Sequence, residues 1–434
     1  MGGTCEWPLA KGAKSEVIAY QYVDLLAIGF PHLNIKMLYA HQQEFLNLNP
    51  DKSALVWSCG TGKTRTACDW AKDKGNTLIV CPKALRANWA READRWGLTH
   101  RVIMTKEEFR KSAVVMKYKP SQIIVDEVHN GFLTPHFKSQ MSKALRDYIK
   151  KHEVPRVLLL SATVYTSSPW NIYNLATLLG YKLDWQKFNY TFFDQIRMGM
   201  RVVPVAKKGM EGKLAEITKQ IASVVNIYDV LDVPLQNHME PEYFALTKEQ
   251  EKAIKENYDP VPIVRYTQQH EIENGILIGN EFRKSETFDC DKNERILDLV
   301  RETDKVAIVC RYNMQIDVLK ELLEKNDIPV AVIRGDVKNR DQITVDAENT
   351  ERGVVLIQAD CAEGYQLPSF ELCIFASQSY SYTKWEQICG RFLRMDKPSR
   401  TTFMYLLTEG DSVDQGVYDA VKRREDFKIE LFKK

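Results

Sequence analysis

The stretch SALVWSCGTGKTRTACDWAKDKG, from Ser53 to Gly75, decides the fold of this chain. It begins with a short, mostly apolar run, continues through a glycine-rich turn, and ends in a segment with helical spacing of apolar residues. A buried strand that leads through a turn into a helix is the unit of an α/β fold. The N–H groups of such a turn, together with the helix N-terminus, form a cradle for phosphate oxygens.

The same alternation of apolar runs and helical stretches continues to about Gly180 and resumes after about residue 290. The earlier runs are SALVWS, TLIVC, RVIMT, SQIIVD and RVLLLS, which begin at Ser53, Thr77, Arg101, Ser121 and Arg156. The later runs are VAIVCR, PVAVIR, GVVLIQ, ELCIFA and TTFMYLL, which begin at Val306, Pro329, Gly353, Glu371 and Thr401. Strands that are apolar throughout are buried on both faces, which predicts parallel sheets covered by helices.

We therefore expect an α/β protein with two parallel-sheet lobes and a mainly helical insertion between them. The predicted domains are an N-terminal lobe over 1–183, a linker or insertion over 184–289, and a C-terminal lobe with a terminal helix over 290–434. The insertion contains a compact basic run, IRMGMRVVPVAKKGMEGK, from Ile196 to Lys213.

Composition excludes several classes of protein. Of the 434 residues, 44% are hydrophobic and 27% are charged, which is typical of a globular protein and not of a disordered one. No apolar run approaches the roughly 20 residues that span a bilayer, and the N-terminus lacks the layout of a signal peptide. Nine scattered cysteines indicate free thiols, so we expect a cytoplasmic protein without a membrane partner. The net charge of +2 means that any nucleic-acid track must be a local basic groove.

The first candidate site is the run Gly60-Thr61-Gly62-Lys63-Thr64. Lys63 would reach the β- and γ-phosphates of ATP, and Thr64 would bind Mg²⁺. The first glycine of the usual eight-residue P-loop pattern is replaced by Trp57. The alternative interpretation is a glycine turn without a ligand.

The second candidate is the acidic pair Asp126 and Glu127, at the end of the apolar run from Ser121. Asp126 would hold Mg²⁺, while Glu127 would orient and deprotonate the attacking water. The alternative is a strand end that carries two solvated acids.

The third candidate is the segment QICGRFLR, which begins at Gln387. On an α-helix, Gln387, Arg391 and Arg394 lie at i, i+4 and i+7 and project from one face. Arginines presented by the second lobe can bind the γ-phosphate and stabilise the transition state. The alternative is a solvated basic helix face.

Together these segments resemble the motor core of superfamily-two helicases, which implies that the two parallel-sheet lobes are RecA-like. In LYAHQ, Gln42 resembles the glutamine that reads adenine, and Ser161-Ala162-Thr163 resembles the SAT element that couples hydrolysis to lobe movement. The resemblance gives His129, next to the acidic pair, a coupling role with Ser161 and Thr163. LIQADCAEGYQL, from Leu356, resembles the second-lobe motif that touches nucleic acid.

A narrower resemblance is to the Swi/Snf-like branch, whose members translocate on duplex DNA. It rests on Cys81-Pro82-Lys83-Ala84-Leu85 followed by Asn88 and Trp89, on VLDVPLQ followed by ALTKEQ, and on IRGDVKNRDQI. Trp89 is interpreted as a core anchor and not as a base-stacking residue. The chain departs from this branch in having SAT for Gly-Thr-Pro and no paired arginines before VLDVP. The chain is also short, and in this it resembles a compact viral, phage-encoded or bacterial member of the branch. The resemblance therefore implies the cytoplasm of a bacterial cell or an infected host.

The resemblance implies a nucleic-acid-stimulated ATPase that moves on DNA, with duplex favoured and single strands or RNA as alternatives. ATP and Mg²⁺ are the expected cofactors, and protein partners stay open. The candidate nucleic-acid contacts are Lys83, Arg311, Arg197, Arg201, Lys207 and Lys208. Rival functions are a strand-separating DNA or RNA helicase, the motor subunit of a larger nuclease machine, and a scaffold without catalysis.

Overall fold

The computed structural model places the described part of the chain in two lobes, each built on a parallel sheet. The structure describes residues 38–111, 118–134, 139–162, 168–198, 201–230, 236–257, 259–281, 283–337, 340–361, 364–393 and 401–427, with residues 429 and 432. The chain divides into two units, Met1–Tyr39 and Ala40–Lys434, and both lobes belong to the second. No described helix is long and apolar enough to cross a bilayer.

The first sheet contains the strand that precedes the glycine turn. The strands of this lobe and its hairpin are β1 (Lys52–Trp57), β2 (Thr77–Cys81), β3 (Arg101–Thr105), β4 (Gln122–Val125), β5 (Arg156–Ser161), β6 (Phe193–Met198), β7 (Arg201–Ala206) and β8 (Ser223–Val225). The order across the sheet is β3-β2-β4-β5-β1-β8, and every pairing is parallel. The hairpin β6–β7 forms a separate antiparallel pair.

Both faces of the first sheet are buried. Ala54 and Val56 of β1 enter one hydrophobic cluster, while Leu55 and Trp57 enter another on the opposite face. The helices of this lobe are α1 (Ala40–Leu48), α2 (Lys63–Ala71), α3 (Arg86–Arg95), α4 (Lys106–Lys111), α5 (Gln140–Lys151), α6 (Trp170–Leu178), α7 (Trp185–Phe192), α8 (Glu211–Ile221) and α9 (Ile227–Val230). Because α1 to α3 cover one face and α5 to α8 the other, polar side chains collect at the strand ends.

The second lobe repeats this plan. Its strands are β9 (Asn237–His238), β10 (Glu242–Phe244), β11 (Ile276–Leu277), β12 (Glu286–Thr287), β13 (Lys305–Cys310), β14 (Val330–Ile333), β15 (Gly353–Gln358), β16 (Leu372–Phe375) and β17 (Thr402–Thr408). The sheet has the order β10-β17-β16-β13-β15-β14 with β9 also beside β17, and all its pairings are parallel. Its helices are α10 (Lys248–Glu256), α11 (Pro262–Glu273), α12 (Asp291–Glu302), α13 (Asn313–Lys325), α14 (Arg340–Asn349), α15 (Tyr382–Cys389) and α16 (Val413–Lys422). The predicted α/β fold with two RecA-like lobes is confirmed.

The stretch 184–289 contributes to both lobes. Its helices α7 to α11 fill slightly less than half of its described part, and the strands β6 to β12 make up about a quarter. Its strand β8 lies beside β1 in the first sheet, however, and β9 and β10 lie beside β17 in the second. The basic run of the sequence forms the β6–β7 hairpin, from the pair Phe193–Ala206 to the pair Met198–Arg201.

A buried ionic cluster joins three helices of the second lobe. Asp414 of α16 accepts hydrogen bonds from Lys292 of α12 and from His270 of α11, the latter at 2.9 Å. Burial alone would raise the pKa of Asp414, but Lys292 and His270 outweigh it and hold that pKa well below its usual range. Glu273 accepts from the first amides of α16, and burial together with the charge of Asp414 raises its pKa to about 7.

Replacing Lys292 tests how much this cluster stabilises the second lobe. Lys292→Met leaves Asp414 buried without its cation, so we expect unfolding free energy to fall by about 3–5 kcal/mol. Lys325→Met removes an exposed ion pair with Glu321 and should cost less than about 1 kcal/mol. Urea unfolding at neutral pH measures both values.

The loss at Lys292 should shrink as pH falls below about 4, because the wild type then progressively loses the stability that its lowered Asp414 pKa supplies at neutral pH. Equal losses in Lys292→Met and Lys325→Met would contradict a stabilising role for the cluster.

Candidate active site between the lobes

The glycine-rich loop lies at the carboxyl end of β1 and leads directly into α2. Gly60 and Gly62 both have φ of 83°, in the left-handed region that favours glycine. A side chain at Gly62 would collide with the amide of Gln42, so the second glycine is required by space as well as by conformation. The loop amides therefore precede a helix N-terminus in the arrangement that binds phosphate.

Two residues of α1 contact backbone carbonyl groups of the glycine-rich loop. His41 Nε2 lies 2.9 Å from the carbonyl oxygen of Thr61, and Gln42 donates from Nε2 to the carbonyl oxygen of Gly62 at 3.3 Å. Both side chains are buried. Gln42, which is predicted to read adenine, thus also contacts the loop that is predicted to hold the phosphates. The contact of His41 with this loop could not be predicted from the local sequence.

Lys63 turns back into its own loop. Its Nζ donates to the carbonyl oxygens of Trp57 and Ser58, at 2.6 Å and 3.2 Å. These contacts keep the ammonium group at the end of β1, inside the turn. Thr64 follows in the first turn of α2 and is half-buried.

The acidic pair follows β4, separated from β1 only by β5. Asp126 is buried and uses both carboxylate oxygens: Oδ2 accepts from Trp89 Nε1 at 2.8 Å, and Oδ1 accepts from the Glu127 amide at 2.9 Å. Burial, with the charge of Glu127, raises the pKa of Asp126 to about 6, while Trp89 and Lys63 act in the opposite direction.

A buried lysine fixes the backbone of this turn. Glu127 has φ of 46°, which is rare for a residue with a side chain. Lys106 Nζ donates to the carbonyl oxygens of Glu127 and Asn130, at 2.7 Å and 2.8 Å, and so closes the turn. The sequence around Lys106, TKEEF, has the pattern of an exposed helix start, so no local signal could have identified this role.

A chain of polar side chains crosses from one lobe to the other. His129 Nδ1 lies 2.8 Å from Ser161 Oγ at the end of β5 and 3.4 Å from Glu127 Oε2. On the other side of the ring, Nε2 lies 3.2 Å from the amide nitrogen of Gln387 in the second lobe. An amide nitrogen only donates, so Nε2 accepts and Nδ1 carries the proton toward Ser161 and Glu127.

The segment around Gln387 differs from the predicted continuous helix. α15 ends at Cys389, and a 3₁₀ turn, Gly390–Phe392, follows it. The 3₁₀ geometry replaces the i, i+4 alignment that placed Gln387 and Arg391 on one α-helical face. Gln387 is buried against His129, Arg391 is half-buried on the tighter turn, and Arg394 lies outside the described residues.

The lobes approach each other closely at this turn. A Cβ atom at Gly390 would lie 2.7 Å from Cys59 Cβ in the glycine-rich loop, and one at Gly60 would lie 3.6 Å from the carbonyl oxygen of Leu393. A second approach brings Gly364 against Ala84 of the 3₁₀ turn Lys83–Leu85. The glycine-rich loop of the first lobe and the turn after α15 of the second therefore lie against each other.

The remaining predicted residues lie in three places. Lys83 is exposed beside the second approach between the lobes. Arg311 follows β13, half-buried, with its guanidinium carbon 3.6 Å from the ring centroid of Tyr380. The β6–β7 hairpin and its exit carry Arg197, Arg201, Lys207 and Lys208. Thr163 lies outside the described residues.

Comparison with known proteins identifies part of the second lobe. Residues 291–396 match the family model of the helicase conserved C-terminal domain. This part of the chain is therefore similar to helicase C-terminal domains. The predicted likeness to superfamily-two helicase motors is confirmed, and the matched range contains Gln387, Arg391 and Arg394.

The matched range begins with α12 and includes β13 to β16. The chain is also similar to a solved structure described as the Sulfolobus solfataricus SWI2/SNF2 ATPase core in complex with dsDNA. That similarity has 18% sequence identity over 92% of each chain and a TM-score of 0.40. No curated protein matches this sequence.

The approach of Gly390 to Cys59 makes a crosslink between the lobes testable. Gly390→Cys brings a second thiol to Cys59, and a shift of about 1 Å satisfies the Cβ separation of a disulfide. We expect mild oxidation to join the two residues, as shown by peptide mapping under non-reducing conditions.

Gly390→Ser is the matched control, because it adds a side chain of similar size that cannot crosslink. Nucleotide-free and nucleotide-bound protein should be compared. A Gly390→Cys protein that resists oxidation in both states would contradict the close approach of the lobes.

Proposed function

We propose that this chain is an ATP-driven nucleic-acid motor that hydrolyses ATP between its two lobes and translocates on DNA, with duplex DNA as the favoured track. The observation that carries the proposal is the approach of Gly390 to Cys59. It brings a phosphate-binding loop of the first lobe against an arginine-bearing turn of the second. A ligand bound between these two segments responds to the relative position of the lobes.

The glycine-rich loop is proposed to bind the ATP phosphates through its amides, with Lys63 at the β- and γ-phosphates. Lys63 already lies inside the loop, bonded to the carbonyl oxygens of Trp57 and Ser58. It therefore exchanges carbonyl partners for phosphate oxygens and needs no large movement of α2. Gly60 and Thr61 complete the loop, and Gln42 supports it from α1 while reading adenine.

The donors of Asp126 and Thr64 fit Mg²⁺, which prefers oxygen ligands and retains part of its water shell. The described residues include no group of three or more His, Cys, Asp or Glu side chains that could hold a metal ion. An ion shared with ATP phosphates needs fewer protein ligands, and the buried charge of Asp126 favours a cation. Mg²⁺ bound there would neutralise the charge that develops on the phosphates.

Glu127 is proposed to orient the attacking water and accept its proton. The Lys106 contacts to the turn carbonyls hold its backbone, and His129 Nδ1 lies 3.4 Å from Oε2 of its carboxylate. These contacts restrict the side chain before the substrate arrives. Pre-organisation of this kind lowers the barrier because little reorganisation is left for the reaction itself.

His129 is proposed to couple this chemistry to the lobes, with Ser161 and Thr163. Its ring contacts Ser161 on the first lobe and Gln387 on the second. Any change in charge at Glu127 therefore reaches a hydrogen bond that joins the lobes. Gln387 acts in this proposal as part of the same coupling and at the edge of the nucleotide site.

Arg391 and Arg394 are proposed to bind the γ-phosphate from the second lobe. An arginine supplied across a cleft is worth about 10³–10⁵ in rate in other nucleotide hydrolases. Since the loop and the arginines belong to different lobes, hydrolysis alters the attraction between lobes. That change in closure is the step that moves the chain along its track.

The proposed division of labour follows the domains 1–183, 184–289 and 290–434. Nucleic acid would contact Lys83 and Arg311, one on each lobe, so that closure changes the distance between two phosphate contacts. The 184–289 stretch would add the basic hairpin as a third contact. Phosphate contacts of this kind weaken steeply with salt.

Lys63→Ala tests the nucleotide site. We expect at least a hundredfold loss of ATP hydrolysis because the loop loses its phosphate-binding cation. Lys72→Ala, an exposed lysine just beyond the same helix, is the control and should hydrolyse ATP normally. Full activity in Lys63→Ala would refute the assigned site.

Hydrolysis by the unaltered protein should be measured at low salt without nucleic acid and with duplex DNA, single-stranded DNA and RNA. Strong stimulation by duplex DNA supports the Swi/Snf-like translocase. Stimulation mainly by single strands or RNA contradicts the duplex track and favours a conventional helicase.

Strand separation is the second candidate function, and the exposed β6–β7 hairpin favours it. Ile196 and Val205 of the hairpin are exposed apolar side chains, and Arg197 and Lys208 supply charge beside them. An apolar hairpin flanked by cations can separate paired bases while holding the backbone. Unwinding of a forked duplex distinguishes this activity from translocation alone.

Charge reversal tests the hairpin. Arg197→Glu with Lys208→Glu should raise the DNA concentration for half-maximal ATPase stimulation by roughly tenfold, because two phosphate contacts become repulsive. Lys150→Glu with Lys151→Glu, two exposed lysines at the end of α5, is the matched control. Identical DNA dependence in both pairs would assign the hairpin no role in binding.

A further inference from the structure

The strongest unassigned feature near the site is the hydrogen bond from Trp89 to Asp126. Trp89 lies on α3, is 1% exposed, and donates from Nε1 to Asp126 Oδ2 at 2.8 Å. The other oxygen of Asp126 accepts the amide of Glu127, its neighbour in sequence. The carboxylate is therefore fixed from its own backbone on one side and from a separate helix on the other.

The helix that carries the donor is itself rigidly placed. Trp89 and Ala93 of α3 belong to the hydrophobic cluster on one face of the first sheet, together with Ile79 and Ile124 of β2 and β4. A large buried ring packed in this way keeps its N–H in one position. The Trp89 N–H therefore holds Asp126 Oδ2 from a fixed position outside the turn.

The chemical nature of the donor matters as much as its position. An indole N–H donates one hydrogen bond and carries no charge. Lysine or arginine in the same place would neutralise Asp126 and compete with a metal cation for it. Trp89 orients the carboxylate and leaves its negative charge available.

We propose that Trp89 is a positioning residue, which fixes the Asp126 carboxylate in the orientation that binds Mg²⁺ together with ATP. This inference rests on the proposed function, because it assigns Asp126 to the metal. The inference separates two buried tryptophans of the same core. Trp89 should affect the affinity of the protein for Mg²⁺, whereas a tryptophan of similar burial that does not contact Asp126 should affect only the stability of the fold.

The chain offers a closely matched control. Trp70 is also 1% exposed, belongs to the same hydrophobic cluster, and donates its indole N–H to the carbonyl oxygen of Pro50 at 2.9 Å. Trp70→Phe and Trp89→Phe each remove one buried indole donor and a similar volume. Only Trp89→Phe removes a bond to the proposed metal ligand.

The test measures binding of a fluorescent ADP analogue to the full chain, first in EDTA and then as Mg²⁺ is added. We expect Trp89→Phe to need an about tenfold higher Mg²⁺ concentration to reach tight binding of the ADP analogue, in line with other residues that orient metal ligands. Its affinity for the analogue in EDTA should be unchanged. Trp70→Phe should follow the wild-type Mg²⁺ dependence, although both variants lose thermal stability.

Equal Mg²⁺ dependence in the two variants would overturn the inference. If Trp89→Phe does not fold, benzothienylalanine at position 89 keeps the ring shape and replaces only the N–H with sulfur, and the same shift is expected. Failure of the proposed function is distinguished by the wild-type protein, which would then neither bind the nucleotide nor hydrolyse ATP.

Discussion

Burial of both faces of each sheet leaves polar side chains room only where the strands end. The glycine-rich loop follows β1, Asp126 follows β4, and Ser161 closes β5, so three neighbouring strands deliver the first lobe's groups to one edge. Arg311 follows β13 in the second lobe in the same way. Which polar side chains lie together in the candidate site therefore depends on which strands are adjacent in the sheet. Packing of the apolar core determines which strands are adjacent.

The two lobes meet where side chains are smallest. Gly390 faces Cys59, and no larger residue fits between them without a shift. This contact lies beside the hydrogen bond from Gln387 to His129, so close packing and polar coupling occur at the same turn. The range that matches the helicase C-terminal domain model includes this turn.

Local patterns in the sequence were sufficient for the parts of the site that lie on consecutive residues. The loop around Lys63 and the pair Asp126–Glu127 could be predicted because strand, turn and polar group adjoin in the chain. Lys106 could not, since its partners are 21 and 24 residues away and its surroundings have the composition of a solvated helix.

Three further features could not be predicted from the local sequence, each for a different reason. Trp89 was correctly interpreted as a core anchor, but its N–H partner is set by packing of α3 against the sheet. The end of α15 at Cys389 was missed because Gly390 is governed by the approach of the other lobe, which helical spacing does not contain. The strand β8 was missed because three residues give too little alternation to be recognised.

The path of the chain between the sheets has a mechanical consequence. All described elements of the first sheet precede those of the second, so the backbone passes between the lobes once, after β8 and before β9. Just after β8, Ile227 lies near Gly60, within 3.1 Å of where a Cβ atom there would be. The only covalent tether in the described core therefore starts beside the glycine-rich loop. Any rotation of one lobe against the other has its covalent pivot there, so a small rotation at the loop produces a large displacement at the far ends of the lobes.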